Sequence, residues 1–167
     1  LLFSIVIIRL IVIDWQKRKD IDLKSLAFKT YGKAGQRILL LHGILGSHRY
    51  WSSVADRLAV NHFLVAPDLL GFGESPKPYL KYTVQDHLDY LKRIIEPLVP
   101  GPEKFWIVGH SMGAILALNY AISDSSRIRG IVLINPPIIA SKNDLIEDFK
   151  NNSSKIMVIV TFNKFWG

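Results

Sequence analysis

The stretch Phe105-Trp106-Ile107-Val108-Gly109-His110-Ser111-Met112-Gly113-Ala114-Ile115-Leu116-Ala117-Leu118-Asn119-Tyr120-Ala121 decides the fold. Its first four residues are a compact apolar run of the kind that makes a buried strand, and the residues from Ala114 onward favour helix. Between them stands a G-x-S-x-G turn. A serine hydroxyl is a poor nucleophile at neutral pH and has to be presented to a base and an electrophile. A sharp strand-to-helix turn does this by holding the side chain above the sheet in a strained backbone conformation. Gly109 and Gly113 supply room, because a Cβ at either would crowd the neighbouring strand and helix. Ser111 is therefore read as a candidate nucleophile rather than a serine in an ordinary tight turn.

Outward from that turn the chain alternates short apolar runs with helical patterns. Leu26 to Tyr31 reads as a strand, ended by the turn residues Gly32 to Gly35. Arg37 to Leu41 is a buried strand running into His42-Gly43-Ile44-Leu45-Gly46. Ser47 is placed to cap a helix over about residues 48–60, with Trp51, Val54, Ala55 and Leu58 on one face. Phe63 to Ala66 is the next strand, and Asp68 to Pro78 is a loop by its glycines and prolines. Thr83 can cap a second helix carrying Val84, His87, Leu88, Leu91 and Ile95 at helical spacing, stopped before Pro100. Ile128 to Ile134 is the last clear strand, closed by Asn135-Pro136-Pro137. Lys155 to Phe162 is apolar and β-branched, with no evident partner. Continuously apolar strands alternating with helices predict an α/β fold, a mostly parallel sheet flanked by helices.

Three motifs stand in order on that framework: His42-Gly43-Ile44-Leu45-Gly46, Asp68-Leu69-Leu70-Gly71-Phe72-Gly73-Glu74-Ser75, and Gly109-His110-Ser111-Met112-Gly113. Together they resemble the serine-nucleophile, cap-containing group of the α/β-hydrolase superfamily (esterases, carbon–carbon bond hydrolases, lactonases) over residues 26–137. The resemblance implies a small-molecule acyl substrate, attack by Ser111, and an oxyanion hole made by the backbone N–H groups of Ile44 and Met112. It implies that His42, Gly43 and Gly46 shape the oxyanion loop, and that Gly109, His110 and Gly113 support the turn. Asp68 and Ser75 brace a loop in such proteins and are not catalytic. A serine at position 111 argues against dehalogenases and epoxide hydrolases of this fold, which use aspartate there. No cofactor and no metal site is implied: His48, His62 and His87 show no metal spacing with carboxylates, and each is read as exposed or satisfied in the core. The family's general base and acid follow the nucleophile. All five histidines here lie at or before position 110, and Asp124, Asp144, Glu147 and Asp148 are acid candidates by residue type alone. The expectation is a sheet truncated after about its sixth strand, with a cap beginning near Pro136, and little or no turnover by these 167 residues.

With 49% apolar residues the chain is globular, and without cysteine it has neither disulfides nor a thiolate nucleophile. Of the net charge of +7, residues 1–37 supply +5 (eight Lys/Arg against three Asp/Glu), leaving +2 for the rest. That near-neutral remainder lacks the basic face a nucleic-acid binder needs. Three parts are expected: an apolar and basic segment over 1–20, the hydrolase-like core over 21–140, and the start of a cap or a non-native tail over 141–167. Leu1 to Ile13 is apolar apart from Ser4 and Arg9 and precedes Lys17-Arg18-Lys19. It reads as the end of a membrane anchor, as a signal-peptide remnant without a small-residue cleavage site, or as an edge element of the domain. Membrane contact through residues 1–19 of an otherwise cytoplasmic protein is the resulting expectation. A non-catalytic binding protein of the same fold, or a membrane-associated interaction module, is the alternative to the hydrolase.

Overall fold

A computed structural model describes residues 27–137 and 157–161. The segment 1–20, the expected cap, and Asp144, Glu147 and Asp148 lie outside the described residues. Strands β1 (Phe28–Tyr31), β2 (Gln36–Leu41), β3 (His62–Pro67), β4 (Phe105–His110), β5 (Ile128–Ile134) and β6 (Met157–Thr161) form one sheet in the order β1-β3-β2-β4-β5-β6. β1 runs antiparallel to β3, and the remaining pairs are parallel. Helices α1 (Ser52–Leu58), α2 (Val84–Leu98) and α3 (Met112–Ser123) make the connections. The sheet strands that the sequence reading locates are all present, Ile128 to Ile134 with the expected bounds and the others longer or shorter by a residue or two. The run Lys155 to Phe162, whose partner the sequence leaves open, contributes β6 at the sheet edge beside β5. Among the described residues no helix is long and apolar enough to cross a membrane.

The period-2 alternation of a strand sends neighbouring side chains to opposite faces, and here both faces are covered. Leu39, Leu41, Val65, Ile107, Ile131 and Leu133 join the cluster formed with α2 and α3. Leu40, Leu64 and Ala66 join Trp51 and Ala55 on the other face, with Val108 and Ile134 packed against them. Two details of the expected faces are corrected. The segment 48–60 divides into a 3-10 turn (His48–Trp51) and the short α1, and Val54 stands 47% exposed while Trp51 and Ala55 are buried. Val84 is likewise exposed, and Tyr90 and Ile94 take buried places on α2. Thr83 caps α2 through a capping box: its hydroxyl accepts from Asp86 N–H, and the Asp86 carboxylate accepts from Thr83 N–H.

The strand order reverses at β2, since β3 lies on one side of it and β4 on the other. The loops leaving the carboxyl ends of β2 and β4 therefore start at the switch point of the sheet, which is where open α/β sheets take their ligands. Gly113, in the first turn of α3, lets that helix start hard against β2. A Cβ on it would stand 2.3 Å from Leu41 O and 2.6 Å from His42 O, both backbone atoms that cannot turn aside. We expect Gly113→Ala to lower the urea midpoint far more than Gly101→Ala. At Gly101 nothing lies within 4 Å and only the positive φ of 65° opposes a side chain, a cost of about 1–2 kcal/mol. Equal midpoints for the two variants would contradict the close approach.

Candidate active site

Ser111 occupies the junction between β4 and α3 as the residue capping the helix, with φ 52° and ψ −118°. For a non-glycine residue that conformation costs about 1–2 kcal/mol and persists only where the surroundings enforce it. They do so here from three sides. Ser111 N–H donates to Ile134 O at 2.9 Å and Ser111 O accepts from Ala114 N–H at 2.9 Å. Below the turn Gly109 admits the helix, since a Cβ on it would lie 2.2 Å from Gly113 O. The side chain of Ser111 is half-buried. Met112 begins α3, so its N–H is among the amides with no partner inside the helix.

The loop after β2 comes to the same place. A Cβ on Gly43 would lie 3.0 Å from His110 Nδ1 and 3.1 Å from Ser111 Cβ, so only glycine lets the two loops meet without displacement. His42, fully buried, sets the geometry of this loop. Its Nε2 accepts the Leu69 N–H at 2.9 Å, which leaves the ring proton on Nδ1 to donate to Gly43 O at 2.7 Å. Gly46 N–H donates to the same carbonyl at 3.1 Å. Because a peptide unit is planar and trans, fixing the Gly43 carbonyl also fixes the direction of the Ile44 N–H. Burial holds the His42 pKa below the usual histidine range, against the raising effects of its bond to Gly43 and of nearby Asp68. The ring is therefore neutral at pH 7, as the two bonds require.

Asp68 fastens the second motif to this loop. Its Oδ1 accepts from His48 N–H at 2.5 Å and from His48 Nδ1 at 2.8 Å, and its Oδ2 accepts from Glu74 N–H at 2.7 Å. Ser75 donates to Asp68 O at 2.5 Å and accepts from Ala27 N–H at 3.1 Å. Burial alone would raise the Asp68 pKa, but the amides of Glu74 and His48 and the His48 ring more than offset it, and the net shift is downward. Both residues brace the loop.

Of the remaining histidines, His62, His87 and His110 each carry a buried Nδ1 without a hydrogen-bond partner among the described residues, so His62 and His87 are not the satisfied core rings the sequence reading expects. The His110 ring stacks on Tyr50, centroids 4.8 Å apart, and burial lowers its pKa. His87 is buried on α2 with its pKa lowered by burial. His62 starts β3, at the opposite end of the sheet. His48 is a correction to the sequence reading: it is paired with Asp68 rather than merely exposed or packed in the core. Asp124 is also displaced from contention as a triad acid. It follows Ser123 at the far end of α3 from Ser111, about 18 Å along the axis of a twelve-residue helix, where its carboxylate accepts from Ser126 Oγ. Among the described residues no group of three or more His, Cys, Asp or Glu could hold a metal ion. Sequence reasoning missed Tyr50, the His48–Asp68 pair and the strained Leu45, which has φ 59°.

A family profile described as alpha/beta hydrolase fold matches residues 36–155. The chain belongs to this hydrolase family. Among its α/β-hydrolase relatives is the "Probable lysophospholipase BODYGUARD 4" of Arabidopsis thaliana, 34% identical over 138 residues, covering 77% of this chain and 33% of that protein. "Probable lysophospholipase BODYGUARD 1" of the same plant is 34% identical over 114 residues, covering 65% and 24%. The chain thus spans a third or less of the length of these relatives. Of solved α/β-hydrolases, a probable hydrolytic enzyme from Pseudomonas aeruginosa superposes with a TM-score of 0.62 at 31% identity, covering 67% of this chain and 37% of that one. The thioesterase domain from the curacin biosynthetic pathway gives 0.60 at 31% identity, covering 77% and 49%.

These shifts give the fold a two-stage acid response. His42, His87 and His110 are all held below their ordinary pKa, so the unfolded chain takes up protons before the native one does. Stability is full above about pH 6.5 and declines as the pH falls below it. A second loss follows below about pH 4, when the unfolded chain protonates Asp68 more readily than the native one. Urea midpoints between pH 8 and 3 should fall in these two windows, and Asp68→Asn should lower stability at pH 7 by about 1–3 kcal/mol while flattening the lower one. A midpoint rising between pH 7 and 5 would contradict the buried neutral rings.

Proposed function

We propose that this chain carries the nucleophile and oxyanion half of a serine hydrolase acting on ester or related acyl bonds. Ser111 Oγ attacks the acyl carbon, and the N–H groups of Ile44 and Met112 hold the oxyanion that forms. Preorganised amides stabilise that charge better than water because they need no reorientation during the reaction. The observation that supports the reading most is the positive φ of Ser111 at a junction lying against Gly43. Strain of this kind persists where it presents a side chain for use. The names of the plant relatives favour a lipid ester as substrate.

Catalysis at full rate also needs a base to take the hydroxyl proton and return it to the leaving group. His42 and His48 are committed to Gly43, Leu69 and Asp68, and His110 is stacked on Tyr50. In our reading none of them serves Ser111, and the 167 residues by themselves retain at most an acceleration of roughly 10³–10⁴ over water from the oxyanion amides. A non-catalytic binding role draws its support from the same committed histidines. Added imidazole separates the two.

The assay is hydrolysis of an activated short-chain ester by the chain and by Ser111→Ala, both verified as folded, with and without imidazole. We expect slow Ser111-dependent turnover that imidazole raises at least tenfold above its effect on the alanine variant. Identical behaviour of the two folded proteins would overturn the nucleophile assignment. Fast Ser111-dependent turnover without imidazole would show that one of the present histidines acts as base.

A further inference from the structure

Gly43 brings the loop after β2 close against the Ser111 turn, where a Cβ on it would meet His110 Nδ1 at 3.0 Å and Ser111 Cβ at 3.1 Å. A steric stop of that kind keeps the loop and the turn from coming nearer. It does nothing to keep them from parting. An oxyanion hole with one amide on the loop and the other on the turn needs the separation held in both senses, because its donors act only when preorganised. The attraction has to come from another contact.

The Tyr50 ring supplies it. Tyr50 stands in the 3-10 turn that continues the β2 loop past its cap Ser47, and its N–H donates to Ser47 O at 3.0 Å. Its ring lies on the ring of His110, the residue before Ser111, with centroids 4.8 Å apart and planes 19° from parallel. Aromatic rings stacked at this range attract one another. From behind, the Tyr50 ring meets Trp51 edge-on, with centroids 4.9 Å apart and planes at 89°. Trp51 is buried among Leu40, Ala55, Leu64 and Ala66, and Val108 of β4 and Ile134 of β5 pack against the same cluster. The clasp is thereby backed by the layer on which the Ser111 turn stands. Nothing bonds to His110 Nδ1 among the described residues, although that atom is buried. A buried ring nitrogen left unpaired is a cost, and the face of Tyr50 holds the ring in place against it.

We propose that Tyr50 is a positioning residue for the oxyanion hole: through its stack on His110 it keeps the Ile44 amide in register with Ser111 Oγ and the Met112 amide. The role rests on the hydrolase reading and adds to it a residue outside all three motifs.

Amide hydrogen exchange in the full chain reads the loop without any reaction. The Gly46 N–H, bonded to Gly43 O, and the Leu69 N–H, bonded to His42 Nε2, report its closed state. Tyr50→Ala should speed exchange at both by about tenfold or more. The Asp124 N–H, bonded to Tyr120 O at the far end of α3, should keep its parental rate. Tyr50→Phe retains the ring face and should match the parent. In a His110→Ala background Tyr50→Ala should be nearly silent, because partners in contact do not act additively, whereas a general loss of stability would add. In the ester assay with imidazole, Tyr50→Ala should lower the Ser111-dependent kcat about tenfold and leave KM within about twofold. Parental exchange at Gly46 and Leu69 in folded Tyr50→Ala would overturn the proposal. So would faster exchange with an unchanged kcat, or equal effects with and without the His110 ring. Absence of Ser111-dependent turnover in the parent is a different failure: it overturns the hydrolase reading and takes this role with it.

Discussion

The first turn of α3 presses against the end of β2 closely enough that Gly113 has no room for a single carbon atom. Every other feature of the site follows from that contact. It fixes how far β4 runs before it must turn, so Ser111 meets the turn in a left-handed conformation. It brings the unpaired amides at the helix start to the mouth of the loop after β2. It also requires Gly109 to be bare, since the returning helix backbone fills the space where a Cβ would stand. Strain at one serine is thus maintained by two glycines, by a strand on each side of β4, and by the bond from Ser111 N–H to Ile134 O.

A chain of hydrogen bonds joins the His42 and Asp68 motifs, and the first of these lies against Ser111 at Gly43. The His42 ring receives Leu69 N–H and orients the Gly43 carbonyl, and Asp68, preceding Leu69, gathers His48 and Glu74. His42 and Asp68 are buried, so a bond left unmade at either would cost the desolvation of that group. The network therefore transmits position without adding much net stability, and it holds the Ile44 amide to a direction rather than to a range of directions. Protonating His42 would remove the acceptor that Leu69 requires, which ties the shape of the loop to the neutral state of one ring.

The fold was legible because its signals are local. Apolar strands, the Ser47 and Thr83 caps and the glycine-bracketed serine each declare themselves within a few residues. What escaped depends on separations that no local pattern carries. His48 and Asp68 are twenty residues apart, Tyr50 finds His110 across two strands, and β6 finds β5 across a connection outside the described residues. Val54 fits the spacing of a buried face, but the segment opens with a tight 3-10 turn and the helix after it spans only Ser52 to Leu58. Val54 is thereby left toward solvent. The strain at Leu45 has no signature in a sequence, because leucine gives no warning of a positive φ. The family membership rests on motifs that were visible, and the likeness to hydrolases agrees with them.

The central claim is that one point in space lies within reach of Ser111 Oγ and of the Ile44 and Met112 amides together. An alkyl boronic acid tests it directly, because it forms a tetrahedral adduct on a presented serine oxygen and offers a boronate oxygen where an oxyanion would sit. A crystal structure of that adduct should show a bond to Ser111 Oγ and one boronate oxygen about 2.7–3.1 Å from both amide nitrogens. A boronate oxygen directed away from those amides, or an intact Ser111 in crystals grown with saturating reagent, would contradict the account.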